Sequence, residues 1–329
     1  ASGMNIVRTY AHRRHRHRHC QPAIFRTHRQ AALSLPEMML AISLCMPLVL
    51  GTIKLLCQTL SEQSLSYQTL LMEQDAQFAL EIIRNLIQQA GHHDPLAAAS
   101  ASASPRLYGM DDATLGARTD IHVGKSGPGP AGSDVLIIHF YGSDSSGSSP
   151  LNCAGMPVPA ATAGSSDKTA DEQGYSVIYL ARGPNGENEL RCKYRTLTGW
   201  DSEALLQGIE SFQVLYGLDR DGDGLPEHYL RASALSAEIS SGVSGAELWN
   251  RVVAVKIALL MRSTQRLQQA SVPTSWNLFG ADYTAQHAAE DRGTRLSSED
   301  FPRDLRHRLR RSYEQLIFLR NPSHSVVNE

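Results

Sequence analysis

The chain has 329 residues, of which 42% are hydrophobic, so it has enough apolar material for one large core or two small domains. Its 31 basic and 33 acidic side chains give a formal net charge of -2 at pH 7. This balance excludes a protein that is drawn to nucleic acid or to anionic lipid by its overall charge.

Charged and apolar residues are unevenly distributed at the beginning of the chain. Residues 8–29 are rich in Arg and His and contain no acidic residue, whereas residues 33–57 form an apolar run with Glu37 and Lys54 as its only charges. About 20 apolar residues suffice for a transmembrane helix. Because the Lys/Arg excess precedes the run, the positive-inside rule predicts a cytoplasmic N-terminus and an exported remainder.

A cleaved secretory signal and a lipoprotein signal are the alternatives to a permanent membrane span. A signal peptide ends at a small-residue site, and the sequence TIKLLCQTLSEQ after Gly51 offers none. A lipoprotein signal has a small residue before its modified cysteine, but Leu44 precedes Cys45 and Leu56 precedes Cys57. The sequence therefore favours a single membrane span.

Glu37 is an unexpected residue near the start of this apolar run. A carboxylate inside a bilayer costs about 2.5–3.5 kcal/mol on insertion scales unless it has a partner. Lys54 is too distant to be that partner, because the intervening helix would be roughly 25 Å long. A proteolytic cut between Ala32 and Leu33 would create a partner, since the new α-ammonium group of Leu33 would lie one turn from Glu37 or face it from a staggered neighbour.

The residues ALSLPE at 32–37 resemble the class III signal of type IV prepilins, in which a small residue precedes the cut and Glu is the fifth mature residue. The resemblance implies that prepilin peptidase cuts after Ala32 and methylates the amine of Leu33. It also implies that Glu37 neutralises the amine of an adjoining subunit. The family prefers Gly before the cut and Phe after it, and Pro36 is unusual, although proline is tolerated in a first helical turn. The alternative role for Glu37 is that of an interfacial residue in a single-pass anchor.

Residues 71–94, LMEQDAQFALEIIRNLIQQAGHHD, predict the amphipathic second half of a long helix. Apolar residues recur there at spacings of three and four, which indicates one buried face. Gly91 is typical of the C′ position, and Pro95 follows it. The helix is therefore predicted from near Ser34 to about Ala90. This segment resembles the end of the N-terminal helix in PilW-type minor pilins.

The remainder of the chain predicts a β-rich head with long loops. Stretches rich in Ala, Ser, Gly and Pro at 92–133 and 142–174 indicate loops. The Pro-Asn-Gly sequence at 184–186 marks a hairpin turn. Residues 264–306 show little periodicity and are predicted to be a long surface loop. Short β-like runs lie at 133–142, 174–183, 189–197, 209–219, 249–263 and 313–319.

Three stretches of the head, at 216–229, 249–263 and 308–323, again resemble the PilW family. The predicted fold class is α+β and type IV pilin-like, with a long N-terminal helix packed on an antiparallel β-sheet head. The predicted parts are a basic leader, the membrane-spanning half of the helix, its amphipathic half and a periplasmic head, at 1–32, 33–57, 58–91 and 92–329.

The five cysteines divide between these predicted parts. Cys20 lies in the leader and Cys45 and Cys57 in the membrane span, which leaves Cys153 and Cys192 in the exported head. An oxidising periplasm favours a disulfide between the latter two, worth roughly 4 kcal/mol for a loop of about forty residues in the chain-entropy model. Two buried free thiols are the alternative. A zinc site is not indicated, because no CxxC or HxxxH accompanies them.

An acidic loop within the head is a candidate calcium site. Its three aspartates occupy alternate positions, as in the front half of an EF-hand loop: Asp219, Asp221 and Asp223. The back half departs from that pattern, because Leu230 occupies the twelfth position and Glu227 comes too early to be the bidentate ligand. An Asp-Gly hairpin turn is the alternative. The sequence indicates no other cofactor.

These features predict a PilW-like minor pilin that is not an enzyme, since no hydrolytic motif is present. The resemblance implies processing by prepilin peptidase and participation in a priming or tip complex of a type IV pilus. A type II secretion pseudopilin shares the processing signal and is one alternative. A single-pass membrane-anchored periplasmic binding domain is the other.

The resemblance also implies partners and a location. The implied partners are other minor pilins, the major pilin, prepilin peptidase, the inner-membrane assembly platform and the membrane, while contact with a tip adhesin is left open and nucleic acid is not implied. The implied location is a single pass of the inner membrane with a cytoplasmic N-terminus and a periplasmic head, and the pilus after assembly.

Overall fold

The computed structural model describes residues 34–92, 105–143, 149–158, 174–196, 198–239, 245–266 and 274–321. The predicted leader and the predicted cleavage site at Ala32 and Leu33 lie outside the described residues. The described secondary structure therefore comprises the long N-terminal helix and most of the head.

Helix α1 (Leu35–Gln89) coincides closely with the predicted helix. The chain forms two compact units, 1–58 and 59–329, and α1 contributes to both. Every described residue of the first unit is exposed. By length and composition, α1 contains an apolar stretch sufficient to cross a membrane. Gly91 follows the last turn with a φ of 71°, the left-handed conformation that glycine adopts at a helix end without steric cost.

The second half of α1 buries one face in the head. Its buried side chains recur at spacings of mostly three and four, as an amphipathic helix requires. Ile83 is completely buried, which contributes about 1.5–3 kcal/mol of hydrophobic stabilisation. Phe78 lies on the other side of the same helix and is 54% exposed. The buried positions are Gln68, Met72, Ala76, Ala79, Ile83, Leu86 and Ile87.

A five-stranded antiparallel sheet forms the first layer of the head. Its strands follow one another in chain order, from β1 to β5. The Pro-Asn-Gly turn at 184–186 joins the third and fourth strands, as predicted, and Gly186 has a φ of 75°. The strands are β1 (Leu107–Met110), β2 (Val135–Phe140), β3 (Gly174–Arg182), β4 (Asn188–Thr196) and β5 (Gly199–Gln207).

A four-stranded antiparallel sheet forms the second layer, in the order β11-β8-β6-β7. Two short helices connect β7 to β8. A further short helix lies between β9 and β10, which pair with each other. The elements are β6 (Ile209–Leu218), β7 (His228–Leu230), α2 (Ala232–Ile239), α3 (Gly245–Asn250), β8 (Val252–Arg266), β9 (Ser275–Asn277), α4 (Gly280–His287), β10 (Arg295–Ser297) and β11 (Arg308–Phe318).

One core joins both sheets to the second half of α1. Leu136 and Ile138 of β2 lie in the same apolar cluster as Ile83 of α1 and Val214 of β6. Val135 and Ile137 of β2 face the opposite side, where they belong to a second apolar cluster that also contains buried residues of the segment 113–121. Both faces of β2 are thus buried, which explains its nearly continuous apolar sequence VLIIHF, in which His139 is the one polar residue. The predicted α+β, pilin-like fold class is confirmed, although the head contains two large sheets where one was predicted.

The prediction of a surface loop at 264–306 was wrong. This segment contains the end of β8, β9, α4 and β10, and it covers the outer face of the second sheet. Its large apolar side chains are buried against Leu215 and Leu260. They occur at irregular intervals, so neither helical nor strand periodicity could show that the segment is packed. They are Trp276, Leu278, Phe279, Leu296 and Phe301.

Four other elements were also missed. β1 and β5 lie outside the predicted strands. α2 and α3 connect β7 to β8, and no helix was predicted in that connection. β1 has 4 residues, and α2 and α3 have 8 and 6, which is too short to establish a period. β5 is an edge strand whose sequence, GWDSEALLQ, mixes polar and apolar residues without strict alternation, and much of it is exposed.

Candidate functional site

The start of α1 positions the carboxylate of Glu37. Its Oε2 atom accepts hydrogen bonds from both the backbone N–H and the hydroxyl of Ser34, each at 3.0 Å. The N–H of Met38 donates to the carbonyl of Ser34 at 3.2 Å, which begins the helical ladder. Ser34 is thus the N-cap, and Glu37 supplies the backward bond of a capping box. Pro36 fits this first turn because its missing N–H has no intrahelical acceptor there.

This capping geometry was not predicted, although its signal is in the sequence. Ser34 and Glu37 have the S-x-x-E spacing of a capping box. The capping role and the predicted pairing with an ammonium group are compatible, because the described residues give the other oxygen of Glu37, Oε1, no hydrogen-bond partner. The pairing with the amine of Leu33 stays a prediction, since Leu33 lies outside the described residues.

Cys153 and Cys192 form a disulfide, with their Cα atoms 5.8 Å apart. Cys192 is fully buried on β4, and Cys153 belongs to the segment that packs beside it. The N–H of Cys153 donates to the hydroxyl of Ser176 on β3 at 3.0 Å. The disulfide therefore fastens the segment 149–158 to β4 of the first sheet. Cys45 and Cys57 lie exposed on the first half of α1.

The acidic loop connects β6 to β7, which pair as an antiparallel hairpin. Asp219 is 8% exposed, and its carboxylate accepts the N–H groups of Gly222 at 2.6 Å and Gly224 at 2.8 Å. Gly222 and Gly224 have φ angles of 83° and 85°, in the left-handed region that residues other than glycine rarely adopt. The predicted alternative of a hairpin turn at this position is therefore observed as the connection between β6 and β7.

The acid groups of this loop converge, and Glu227 converges with them. Oxygen atoms of Asp219, Asp221, Asp223 and Glu227 lie within 4.8 Å of one another. In an EF-hand loop the bidentate ligand occupies the twelfth position, and Glu227 comes before it. The hairpin instead folds it back over the loop, where its carboxylate accepts the N–H of Arg220 at 3.0 Å.

Charge repulsion within this cluster raises the pKa of Asp221. A hydrogen bond from the N–H of Asp223 lowers the pKa of Asp221, but desolvation and the nearby Asp223 and Glu227 carboxylates raise it further, so the net shift is upward. Carboxylate oxygens are the ligands that calcium prefers. The carboxylate of Asp219 also accepts the two glycine N–H groups of the loop. Calcium binding stays a prediction.

The described fold defines a class of protein. A long N-terminal helix with an apolar first half, followed by an antiparallel β head into which its second half packs, is a pilin-like architecture. Residues 177–321, which include most strands of the head, match the family PilW, described as Type IV Pilus-assembly protein W. The match agrees with the resemblance found in the sequence and supports a PilW-type pilus assembly protein.

The family match extends over less than half of the chain and lies wholly within the head. No curated protein and no solved structure matches the chain. The PilW pilus assembly family is a structural kind of protein, so the role that the match supports is one in type IV pilus assembly.

Proposed function

We propose that this chain is a minor pilin, cleaved by prepilin peptidase between Ala32 and Leu33, that takes part in a priming or tip complex of a type IV pilus. The observation that carries the proposal is the carboxylate of Glu37, held at the start of an exposed apolar helix whose second half packs into a PilW-type head. In this proposal residues 1–32 are the leader, 33–57 the membrane span, 58–91 the amphipathic half-helix and 92–329 the head.

Assembly requires the apolar half of α1 to leave the bilayer and pack against other helices. Loss of lipid contact is offset by packing with neighbouring apolar helices. The charge of Glu37 is the obstacle in both environments, because an unpaired carboxylate is costly in an apolar medium. An ammonium group on Leu33 would remove that cost. Ser34 donates to one oxygen of Glu37, and the other would be available to that ammonium group.

The proposal assigns an orientation and a set of partners. The basic residues 8–29 would stay in the cytoplasm, and the head, with its disulfide, would lie in the periplasm. Other minor pilins, the major pilin, the peptidase and the inner-membrane assembly platform are the proposed partners. Methylation of Leu33 would accompany cleavage.

Mass analysis of the mature N-terminus tests the proposal. The full chain is expressed with and without a prepilin peptidase, and the membrane fraction is digested and sequenced by mass spectrometry. We expect N-methyl-Leu33 as the first residue only when the peptidase is active. Ala32→Leu, which replaces the small residue before the cut, is expected to keep its leader and serves as the matched control. An intact leader in the wild-type chain beside active peptidase would contradict the proposal.

A further inference from the structure

A group of arginines lies where β8 ends and β11 begins. The two stretches, 262–266 and 305–311, contain no acidic residue and together form what we call the basic corner. The register of the strands places Arg308 directly opposite Arg266, and Arg310 directly opposite Arg262. Like charges in opposite positions of neighbouring strands destabilise a sheet, so this arrangement costs stability. The basic residues of the corner are Arg262, Arg266, Arg306, His307, Arg308, Arg310 and Arg311.

Two of these arginines are compensated inside the head. Arg262 and Arg310 are buried and share the carboxylate of Glu210, at 2.8 Å and 3.2 Å. Arg262 also contacts Glu187 at 3.1 Å. The two carboxylates balance the two guanidinium groups, so Arg262 and Arg310 add no net charge to the surface that the corner presents to a partner.

The other four arginines of the corner form no ion pair within the part of the chain that the structure describes. Arg306 and Arg308 donate to backbone carbonyl groups. Those groups satisfy hydrogen bonds but carry no net charge. Arg266 and Arg311 are exposed. Four positive charges are therefore concentrated here without a paired carboxylate.

Acidic residues also lie close to the corner. The turn before it, 299–304, has three carboxylates and one arginine, a net charge of -2 against the +4 of the unpaired arginines. Burial raises the pKa of Tyr313, Arg311 lowers it and Glu73 of α1 raises it. Arg311 thus shares its surroundings with a carboxylate and is the least available of the four. The surface stays cationic, chiefly through Arg266, Arg306 and Arg308.

The basic corner lies at the end of the head where the buried part of α1 begins. Gln68 is the first buried residue of α1, and its side chain accepts the N–H of Gln265 at 3.4 Å. At the other end of α1, Asn321 donates to the carbonyl groups of Gln88 at 3.4 Å and Ala90 at 3.0 Å. β11 therefore runs along α1, with its arginines beside the earlier turns of the buried half.

This end of the head follows the proposed membrane span closely in the chain. Eleven residues of α1 lead from residue 57, where the proposed span ends, to Gln68, which is roughly 16 Å at the rise of a helix. The headgroup region of a bilayer extends about 5–8 Å beyond the hydrocarbon core. The remaining distance is about 10 Å, close to the Debye length at physiological ionic strength. Unpaired arginines at this position are near enough to be attracted by anionic headgroups.

We propose that the basic corner binds the anionic surface of the membrane in which the chain is anchored, with the guanidinium groups of Arg266, Arg306 and Arg308 on lipid phosphate groups. Guanidinium groups bind phosphate bidentately. The attraction is local, because the formal net charge of the whole chain is -2. The contact holds the head against the bilayer until α1 is extracted. This inference rests on the membrane span of the proposed function, but not on cleavage or on Glu37.

Hydrogen exchange in lipid nanodiscs tests this surface. The full chain is reconstituted in nanodiscs of phosphatidylcholine alone or of an equal mixture of phosphatidylcholine and phosphatidylglycerol. Mass spectrometry then follows deuterium uptake in peptides that cover 262–266 and 305–311. We expect uptake there to be about fivefold slower or more with phosphatidylglycerol, because each arginine near an anionic surface contributes about 1 kcal/mol. High salt should remove the difference.

Two charge reversals locate the effect. Arg266→Glu reverses an exposed charge of the corner, and Arg320→Glu makes the same change at an exposed arginine beyond the other end of β11. We expect Arg266→Glu to remove most of the difference between the two lipid compositions and Arg320→Glu to leave it unchanged. Thermal unfolding first establishes that both variants are folded. If Arg266→Glu is not, Arg266→Gln replaces it.

Several outcomes would overturn the proposal. They are equal uptake in the two lipid compositions, equal effects of the two variants, and slower uptake throughout the head, including 216–230. Equal protection by a DNA duplex or by inorganic phosphate, added to phosphatidylcholine nanodiscs, would show a different ligand and would also overturn it. Failure here leaves prepilin cleavage untouched, since the mature N-terminus is measured separately. A chain that alkaline carbonate releases from the membrane would contradict the membrane span itself.

Discussion

The carboxylate of Glu37 illustrates how one residue can serve two purposes. Its hydrogen bonds to Ser34 stabilise the first turn of α1, as a capping box does in any helix. The same bonds fix where the charge is presented to a neighbouring subunit in the proposed assembly. The charge was prominent in the sequence because it interrupts an apolar run. The spacing of Ser34 and Glu37 also predicts the capping role, which was not among the expectations from the sequence.

A buried ion triad gives the first stability prediction. Glu210 lies between Arg262 at 2.8 Å and Arg310 at 3.2 Å, and all three side chains are almost fully buried. We expect Glu210→Gln to lower the free energy of unfolding by about 3–5 kcal/mol, because it leaves buried Arg310 without a countercharge and buried Arg262 with only the partly exposed Glu187 as its partner. Thermal unfolding of the detergent-solubilised chain measures the change.

The control for this prediction is Glu247→Gln. Glu247 pairs with Arg251 at 3.2 Å, but both side chains are about half exposed. Such a surface pair contributes about 0–1 kcal/mol, so a small change is expected. Equal destabilisation by Glu210→Gln and Glu247→Gln would contradict the expectation that loss of a buried ion pair costs more stability than loss of an exposed one.

Asp291 gives a prediction on pH. It is 2% exposed, and burial raises its pKa to about 6, although the hydroxyl of Tyr283 donates to it at 2.7 Å. The folded state therefore binds this proton more tightly than the unfolded chain, where the pKa is about 3.9. The contribution to stability is present below that value and is lost as pH rises to about 6.

Asp291→Asn removes this dependence. Relative to the variant, the wild-type chain is expected to lose about 2–3 kcal/mol between pH 4 and pH 7, according to the shift in pKa. Unfolding temperatures of both proteins across this interval measure the difference. Asp282→Asn, at an exposed aspartate of α4, is the control and should follow the wild type. A constant difference between wild type and Asp291→Asn would disprove the assigned titration.

At the scale of elements, periodicity determined what could be predicted. The second half of α1 was placed within a residue or two, because its apolar residues repeat over several turns and Gly91 ends it. β6, β8 and β11 were found because they are long and rich in apolar residues. The segment 274–306 was missed because its buried side chains follow no period. Tertiary packing, which sequence spacing does not encode, decides its structure.

A pair of substitutions on α1 tests its packing into the head. Ile83 is completely buried and Phe78 is 54% exposed. We expect Ile83→Ala to lower the free energy of unfolding of the head by about 2–5 kcal/mol, through lost burial and the cavity that remains. Phe78→Ala is expected to change it by roughly 0.5 kcal/mol or less, as is usual for a surface position. Comparable losses in the two variants would show that the buried face is assigned wrongly.

For the whole molecule, the sequence predicted the α+β fold class but not the internal design of the head. A basic segment, an apolar run, an amphipathic helix and a β-rich region were recognised in turn, and the fold class is confirmed. The division of the head into two sheets was not predicted, because register and sheet order depend on contacts distant in sequence. Pairing between subunits depends on a second chain and is equally outside what one sequence fixes.

The central claim is that Glu37 requires an ammonium partner during assembly. Incorporation of the mature chain into sheared pilus filaments tests it most directly, with Glu37→Gln compared with Glu73→Gln, the same change at an exposed residue of the second half of α1. We predict that both variants are cleaved. We also predict that incorporation of Glu37→Gln falls about tenfold or more while Glu73→Gln matches the wild type. Wild-type incorporation of Glu37→Gln would contradict the claim.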